Sequence, residues 1–345
     1  MAARPSFASW AAGGYANMPR PRRADPPSLQ ALAGRTMGTT WSLRFDNPRM
    51  IALDDVRAVA QAALDRVVAQ MSTWAPDSDI SRFNRSAAGS HHVLEAEFAK
   101  VLSCALQWAA ASGGAIDPGV GPLVALWGFG ADADAAAVEP PSPAAIARAH
   151  ARVGWERLTL DLDARTAVQP GGMALDLSGV AKGFAVDQVA AALQALGLAD
   201  FLVEVGGELR AAGHRPGGDP WQVLVETLPG TSHRVALDGM AIATSGDRWH
   251  VREHQGRRWS HTLDPRTGEP VGHALASVTV LHPECMHADA LATVLTVLGP
   301  DEGLAFARRH GVAALFVCRS DPGPRAFASP AWPAASAAPI VDGAA

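Results

Sequence analysis

Helix-period and strand-period stretches succeed one another along this chain without the strict alternation that a doubly wound parallel sheet demands. Helical spacing runs over 53–71 through Val56, Ala60, Ala63, Val67 and Gln70, with Asp54 or Asp55 as the expected cap, and again over 98–111, where Gly113-Gly114 supplies a left-handed stop. A short helix is expected up to His150. Strand-like runs fall at 36–45, at 158–162 and 166–169 as a hairpin, and at 201–205, 221–227, 234–237, 241–244, 258–263 and 277–281. The stretch 173–177 reads as a strand that leads through a glycine turn into a helix ending near Leu196-Gly197. Helices over 287–298 and 301–310 and a strand over 312–317 close the pattern. This predicts an α+β fold, with mixed or antiparallel sheets and packed helices. It occupies 34–318 as one domain or as two lobes around a cleft, between a Pro/Arg-rich tail at 1–33 and a Pro/Ala-rich tail at 319–345.

Composition removes several classes of function. With 345 residues and 48% hydrophobic side chains there is material for a large core, which excludes global disorder. Lys and Arg number 29 against 34 Asp and Glu, a net charge of -5 without the basic stripe that counter-ion release requires, so nucleic acid is not an expected partner. Cys104, Cys285 and Cys318 are far apart with no CxxC pair, which predicts buried thiols in place of a disulfide framework or zinc site. The longest uncharged apolar run in a helical context lies between Lys100 and Asp117 and breaks at Ser112-Gly113-Gly114, so no membrane-spanning helix is expected. The first thirty-odd residues carry Arg4, Arg20, Arg22 and Arg23 without a continuous apolar core or a cysteine. The expected compartment is the cytoplasm, or the periplasm and inner membrane if the start codon is misplaced.

Four segments hold residues with chemical potential. In Ala288-Asp289-Ala290-Leu291-Ala292-Thr293, a carboxylate and a hydroxyl four apart share one helix face, and with a backbone carbonyl they make a hard-oxygen set suited to Mg²⁺. Read alone, the same segment is more simply a first-turn acid and a tolerated threonine. Asp176-Leu177-Ser178-Gly179-Val180-Ala181-Lys182-Gly183 puts an acid, a glycine turn and a lysine at a strand-to-helix junction. Free amides and the dipole there favour an anion, with Lys182 toward a phosphate and Asp176 toward a ring nitrogen. Its spacing matches neither the P-loop nor GxGxxG.

Gly206-Gly207-Glu208 and Ser245-Gly246-Asp247 each follow a strand and read either as close ligand approach or as plain turns. His261-Thr262-Leu263-Asp264-Pro265-Arg266-Thr267-Gly268 groups a potential proton acceptor, an acid that orients or structures the loop, and an arginine for anions. A Pro-Arg-Thr-Gly turn needs no function to exist.

Taken in order, these segments resemble the ApbE family of flavin transferases. The resemblance also draws on Met37-Gly38-Thr39, on Met71-Ser72-Thr73-Trp74 with Asp77-Ser78-Asp79-Ile80-Ser81-Arg82-Phe83-Asn84, on Gly113-Gly114-Ala115-Ile116-Asp117-Pro118, on Trp127-Gly128-Phe129-Gly130 and on Ala243-Thr244-Ser245-Gly246, and it spans about 35–317. It implies an ApbE-like, T-fold-like domain around an FAD cleft. The implied reaction is Mg²⁺-dependent transfer of FMN from FAD to a threonine hydroxyl, releasing AMP, and the implied partner is an acceptor protein with a Ser/Thr-Gly-Ala-Thr-like site, expected in a redox complex.

By position, the resemblance places FAD contacts on Met37, Trp74, Ala115, Ile116, Asp117, Asp176, Lys182 and Leu263. Metal ligation falls on the Gly179 carbonyl, Asp289 and Thr293, with Ala292 beside them. Lys182, Asp264 and His261 are the expected catalytic residues, His261 as base. Trp74 stands where the family often has Tyr, Ile116 where it often has Phe, and Asp247-Arg248-Trp249-His250 replaces a more usual run. The alternatives are an FAD diphosphatase and a non-catalytic FAD-binding assembly protein.

Overall fold

The computed structural model describes residues 28–131, 139–228, 231–246, 251–254, 257–321, 323–333 and 340–341. The elements begin with β1 (Leu29–Thr36), β2 (Thr39–Asp46), α1 (Leu53–Met71), α2 (Asp79–Asn84), β3 (His91–Val93), α3 (Ala96–Ser112), α4 (Gly121–Leu126) and α5 (Pro143–His150). Then come β4 (Thr159–Asp161), β5 (Thr166–Val168), α6 (Ala181–Leu196), β6 (Phe201–Val205), β7 (Glu208–Ala212), β8 (Trp221–Leu228), β9 (Thr231–Leu237) and β10 (Ala241–Gly246). The remainder are β11 (Val251–His254), β12 (Arg257–Ser260), β13 (Leu263–Asp264), β14 (Glu269–Pro270), β15 (Leu275–His282), α7 (Cys285–His310), β16 (Ala313–Cys318), β17 (Arg325–Ala328) and β18 (Ile340–Val341).

An eight-stranded sheet in the order β1-β2-β6-β7-β10-β15-β16-β17 organises the molecule, and every neighbouring pair in it is antiparallel. One face is covered by α1, α6 and α7, which pack in that order, with α7 against β10 and β15. The α1 stripe Val56, Ala60, Ala63, Leu64, Val67 and Met71 is buried at helical spacing, and the fully buried Trp41, Phe45, Phe184 and Phe201 join the helices to the sheet. Burial of each such large side chain contributes roughly 1.5–3 kcal/mol. On the other face Trp221, Val225, Val235 and Leu237 from the small β18-β9-β8 sheet pack on Ile242, Leu281 and Leu315. A third apolar cluster joins Leu123 and Trp127 to Trp259 and Leu263. The α+β expectation of mixed or antiparallel sheets holds, with the large sheet antiparallel throughout.

Several local expectations are corrected. The run 36–45 is two strands, because Met37 and Gly38 both take positive φ (48° and 71°) and close a two-residue hairpin pairing Thr36 with Thr39. Leu29–Thr36 is therefore strand from its first residue, so part of the segment assigned to the N-terminal tail belongs to the sheet; β17 likewise takes part of the C-terminal tail. Neither Asp54 nor Asp55 caps α1; they lie in its first turn, after Ala52. The stretch 173–177 forms no strand, only a single parallel bridge from Ala174 to Val120. The run 258–263 is split between β12 and β13.

The helix α7 is long and apolar enough to span a bilayer by length and composition, which the sequence reading did not pick out. It is a core helix: most of its apolar window is buried, and Gly299 (φ 78°) and Pro300 break it at the point where two helices were expected. Cys104 and Cys285 are buried free thiols and Cys318 is half-buried.

Candidate active site

Two tight turns meet at one end of the large sheet. The Gly206-Gly207 turn joins β6 to β7 with Val205 opposite Glu208, and the Gly206 amide donates to the Thr40 carbonyl at 3.1 Å. The Met37-Gly38 turn therefore lies beside it, above the first turn of α6. Met37 holds an αL backbone that side chains other than Gly, Asn and Asp seldom take, a strain that persists where the surroundings impose it.

Below these turns opens a cleft of about 140 Å³, lined by Met37, Met71, Ser72, Thr73, Trp74, Ser178, Ala181 and Lys182 among others. Trp74 is 70% exposed, so its indole is open to a planar ligand and is not a core side chain. Asp176 Oδ1 accepts from the Ser178 amide at 2.8 Å, which shapes the turn into α6. The residue before α6, Val180, gives its start no side-chain cap.

Behind the cleft floor, residues more than a hundred positions apart converge. Asp289 is buried, and its Oδ2 accepts from the Gly183 amide at 3.0 Å. Gly179 packs directly on Thr293: a Cβ placed on it would lie 2.9 Å from Thr293 Oγ1. Gly183 packs as closely on α7, since a Cβ there would clash with the Cys285 carbonyl and lie 2.8 Å from Asp289 Cβ. Thus Gly179, Asp289 and Thr293 share one locus, with the buried Ala292 beside them.

Lys182 Nζ forms an ion pair with Glu208 Oε1. Burial works against the ammonium, but Asp289 and Glu208 outweigh it and hold the lysine above its ordinary range. Burial pushes the Glu208 carboxyl up to about 7, with Lys182 pulling it down and Asp289 adding to the rise. Asp289 is raised by burial against the pull of Lys182 and the Gly183 amide.

The other expected contacts lie around this locus. The Pro118 carbonyl accepts from the Asp176 amide at 2.8 Å, tying Ala115-Ile116-Asp117-Pro118 to the turn before α6. Ala115, Ile116 and Leu263 have buried side chains. Asp117 is buried, and both its oxygens accept from backbone amides, Gly119 at 2.7 Å and Trp155 at 2.9 Å, so its side chain ties its own loop to the turn at Trp155.

Asp264 likewise spends both oxygens on Arg266, Oδ1 on its backbone amide and Nε and Oδ2 on Nη2. The turn is anchored from outside by Trp127 Nε1 donating to the Gly268 carbonyl and by His150 Nε2 donating to Pro265. His261 lies edge-on to Phe129, ring centres 6.3 Å apart, and is not among the residues that line the Trp74 cleft. Asp247 and the following residues to position 250 are outside the described residues.

Glu208 and Asp187 were missed as site residues by sequence reasoning. Asp187 pairs with Arg210 and accepts from the amides of Cys285 (3.0 Å) and Met286 (2.9 Å), so it fixes the start of α7 against α6. A glutamate directly after a Gly-Gly turn was the available signal for Glu208. Nothing local marks Asp187.

Comparison with known proteins finds relatives in sequence and in fold. The ApbE family model matches residues 37–316. The FAD:protein FMN transferase of Haemophilus influenzae is 39% identical over 304 residues, covering 85% of this chain and 87% of its own length. That of Vibrio cholerae is 36% identical over 310 residues, covering 88% and 92%. The crystal structure of the apo flavinyl transferase ApbE of Pseudomonas stutzeri superposes with a TM-score of 0.82 at 38% identity, covering 88% of this chain and 95% of that one. In sequence and in fold, the chain belongs to the ApbE family.

Proposed function

We infer that this protein is an FAD:protein FMN transferase, as its relatives are named. The observation that carries the reading is the convergence of Gly179, Asp289 and Thr293 behind a cleft floored by Lys182 and flanked by an open indole. Trp74 and Met37 receive a planar ring system, and Lys182 faces the diphosphate.

The donor set fits Mg²⁺: a carboxylate, a hydroxyl and a backbone carbonyl are hard oxygens, the missing side chain of Gly179 leaves the approach to Thr293 open, and Gly183 is the single hydrogen-bond donor to Asp289 among the described residues. That set would hold the ion, which when bound withdraws negative charge from the diphosphate. Among the described residues there is no cluster of three or more His, Cys, Asp or Glu suited to a metal.

In the transfer, the acceptor threonine Oγ forms a bond to the FMN phosphorus as the bridging P–O bond breaks, and AMP leaves with the bridging oxygen. His261 is the proposed acceptor of the hydroxyl proton. Phosphoryl transfer is mainly positioning and charge stabilisation, which is what Lys182 supplies.

Incubation with FAD, Mg²⁺ and an acceptor bearing a Ser/Thr-Gly-Ala-Thr-like site tests this by mass spectrometry. The expected product is acceptor heavier by one FMN moiety, with equimolar AMP, and Asp289→Asn abolishes it. Release of free FMN and AMP with unmodified acceptor would instead show a diphosphatase.

A further inference from the structure

Lys182 is not a freely moving cation in the cleft. Its side chain is 32% exposed, while that of its partner Glu208 is only 3% exposed. Glu208 Oε2 is buried without a hydrogen-bond partner, so Lys182 is the cation that offsets this carboxylate. The two residues are 26 apart in sequence and come from different elements: Lys182 from the first turn of α6, Glu208 from the first position of β7, set by the Gly206-Gly207 turn.

A lysine has a long, flexible stem whose rotamers must be frozen before its charge acts from one place. Here the freezing is done in advance, by a carboxylate that solvent scarcely reaches. Preorganised charge acts on a reacting group without reorganising when the reaction occurs.

We propose that Glu208 is a positioning residue for flavin transfer, holding the Lys182 ammonium at a fixed point on the cleft floor where the FAD diphosphate meets it. This rests on the reading that the diphosphate lies over Lys182.

A double-mutant cycle in the full chain, Lys182→Met with Glu208→Gln, tests it. Glu208→Gln lowers kcat for FMN transfer roughly 10–100-fold, the range for groups that orient a site ligand, with a smaller change in KM for FAD. In the Lys182→Met background the same substitution gives no further loss, because there is no ammonium left to place. The melting temperature separates this from general support of the fold. Lys182→Met alone leaves a buried carboxylate without its cation and melts lower than the double variant, which removes both charges.

Wild-type kcat in Glu208→Gln, or the same fold-loss in both backgrounds, would overturn the proposal. Should the wild-type chain transfer no FMN, the transferase reading falls, but Glu208 is still decided. Fluorescence titration with FAD must then show weakened binding on Glu208→Gln only when Lys182 is present, and additive losses reject the pairing.

Discussion

At Gly183 a side chain has nowhere to go. The α-carbon faces the first turn of α7, with the Cys285 carbonyl in the way and Asp289 Cβ within 2.8 Å of any added carbon. Gly183→Ala must therefore push α6 away from α7 and stretch the amide bond to Asp289. The expected loss is about 1–3 kcal/mol of stability by urea unfolding, with weaker Mg²⁺ binding by calorimetry. Unchanged metal affinity would show that this close approach does not shape the proposed cation locus. The sequence marked Gly179 and Gly183 as a turn that could meet an anion. Their stronger reason lies in helix-to-helix contact, which cannot be read from residues 176–183 alone.

Among the elements, α7 carries Asp289 and Thr293, and its placement depends on a residue outside it. Its N-cap, Glu284, makes no side-chain cap. Asp187 on α6 accepts from the first two amides of α7 instead and pairs with Arg210 on β7. Asp187→Ala strands Arg210 and leaves those amides unpaired, so about 1–3 kcal/mol of stability should be lost. Hydrogen exchange should quicken at Cys285 and Met286 and not at α1. Equal quickening in both helices would count against a local role. The helix periods 53–71 and 98–111 and the glycine stops were legible, because each is written within its own element. The tie from α6 to α7 was not, since its partners are 98 and 99 residues apart.

For the whole molecule, buried carboxylates give stability an unusual pH dependence. Burial raises Asp117, Glu208 and Asp289 together, Glu208 from 4.5 to about 7. A folded-state pKa above the unfolded one means that the folded form binds the proton more tightly. The Glu208 contribution is thus complete below 4.5 and is lost as pH rises through about 7. His282 and His287 act in the opposite sense, because burial lowers both and folding then disfavours their protonation. Comparison with Glu208→Gln isolates the glutamate. Stripped of divalent cations, the wild type should gain up to roughly 3 kcal/mol relative to the variant as pH falls across that interval. Parallel stability curves for the two proteins, measured by urea unfolding, would remove Glu208 as the source.

Sequence by itself determined the α+β class with mixed or antiparallel sheets, the bounds of the longer helices α1 and α3 and of several strands, the family, and the segments from which the site is assembled. These follow from hydrophobic period, glycine stops and short motifs, all of which are local. Tertiary structure alone decided that Gly179 rests on Thr293, that Asp187 starts α7, and that Glu208 holds Lys182. It also showed that Asp117 spends its carboxylate on tying its loop to Trp155, and Asp264 its own on Arg266. Such pairings depend on strand order and on the close approach of α6 to α7, because a charge or a glycine acquires its role only from the atoms that folding brings against it.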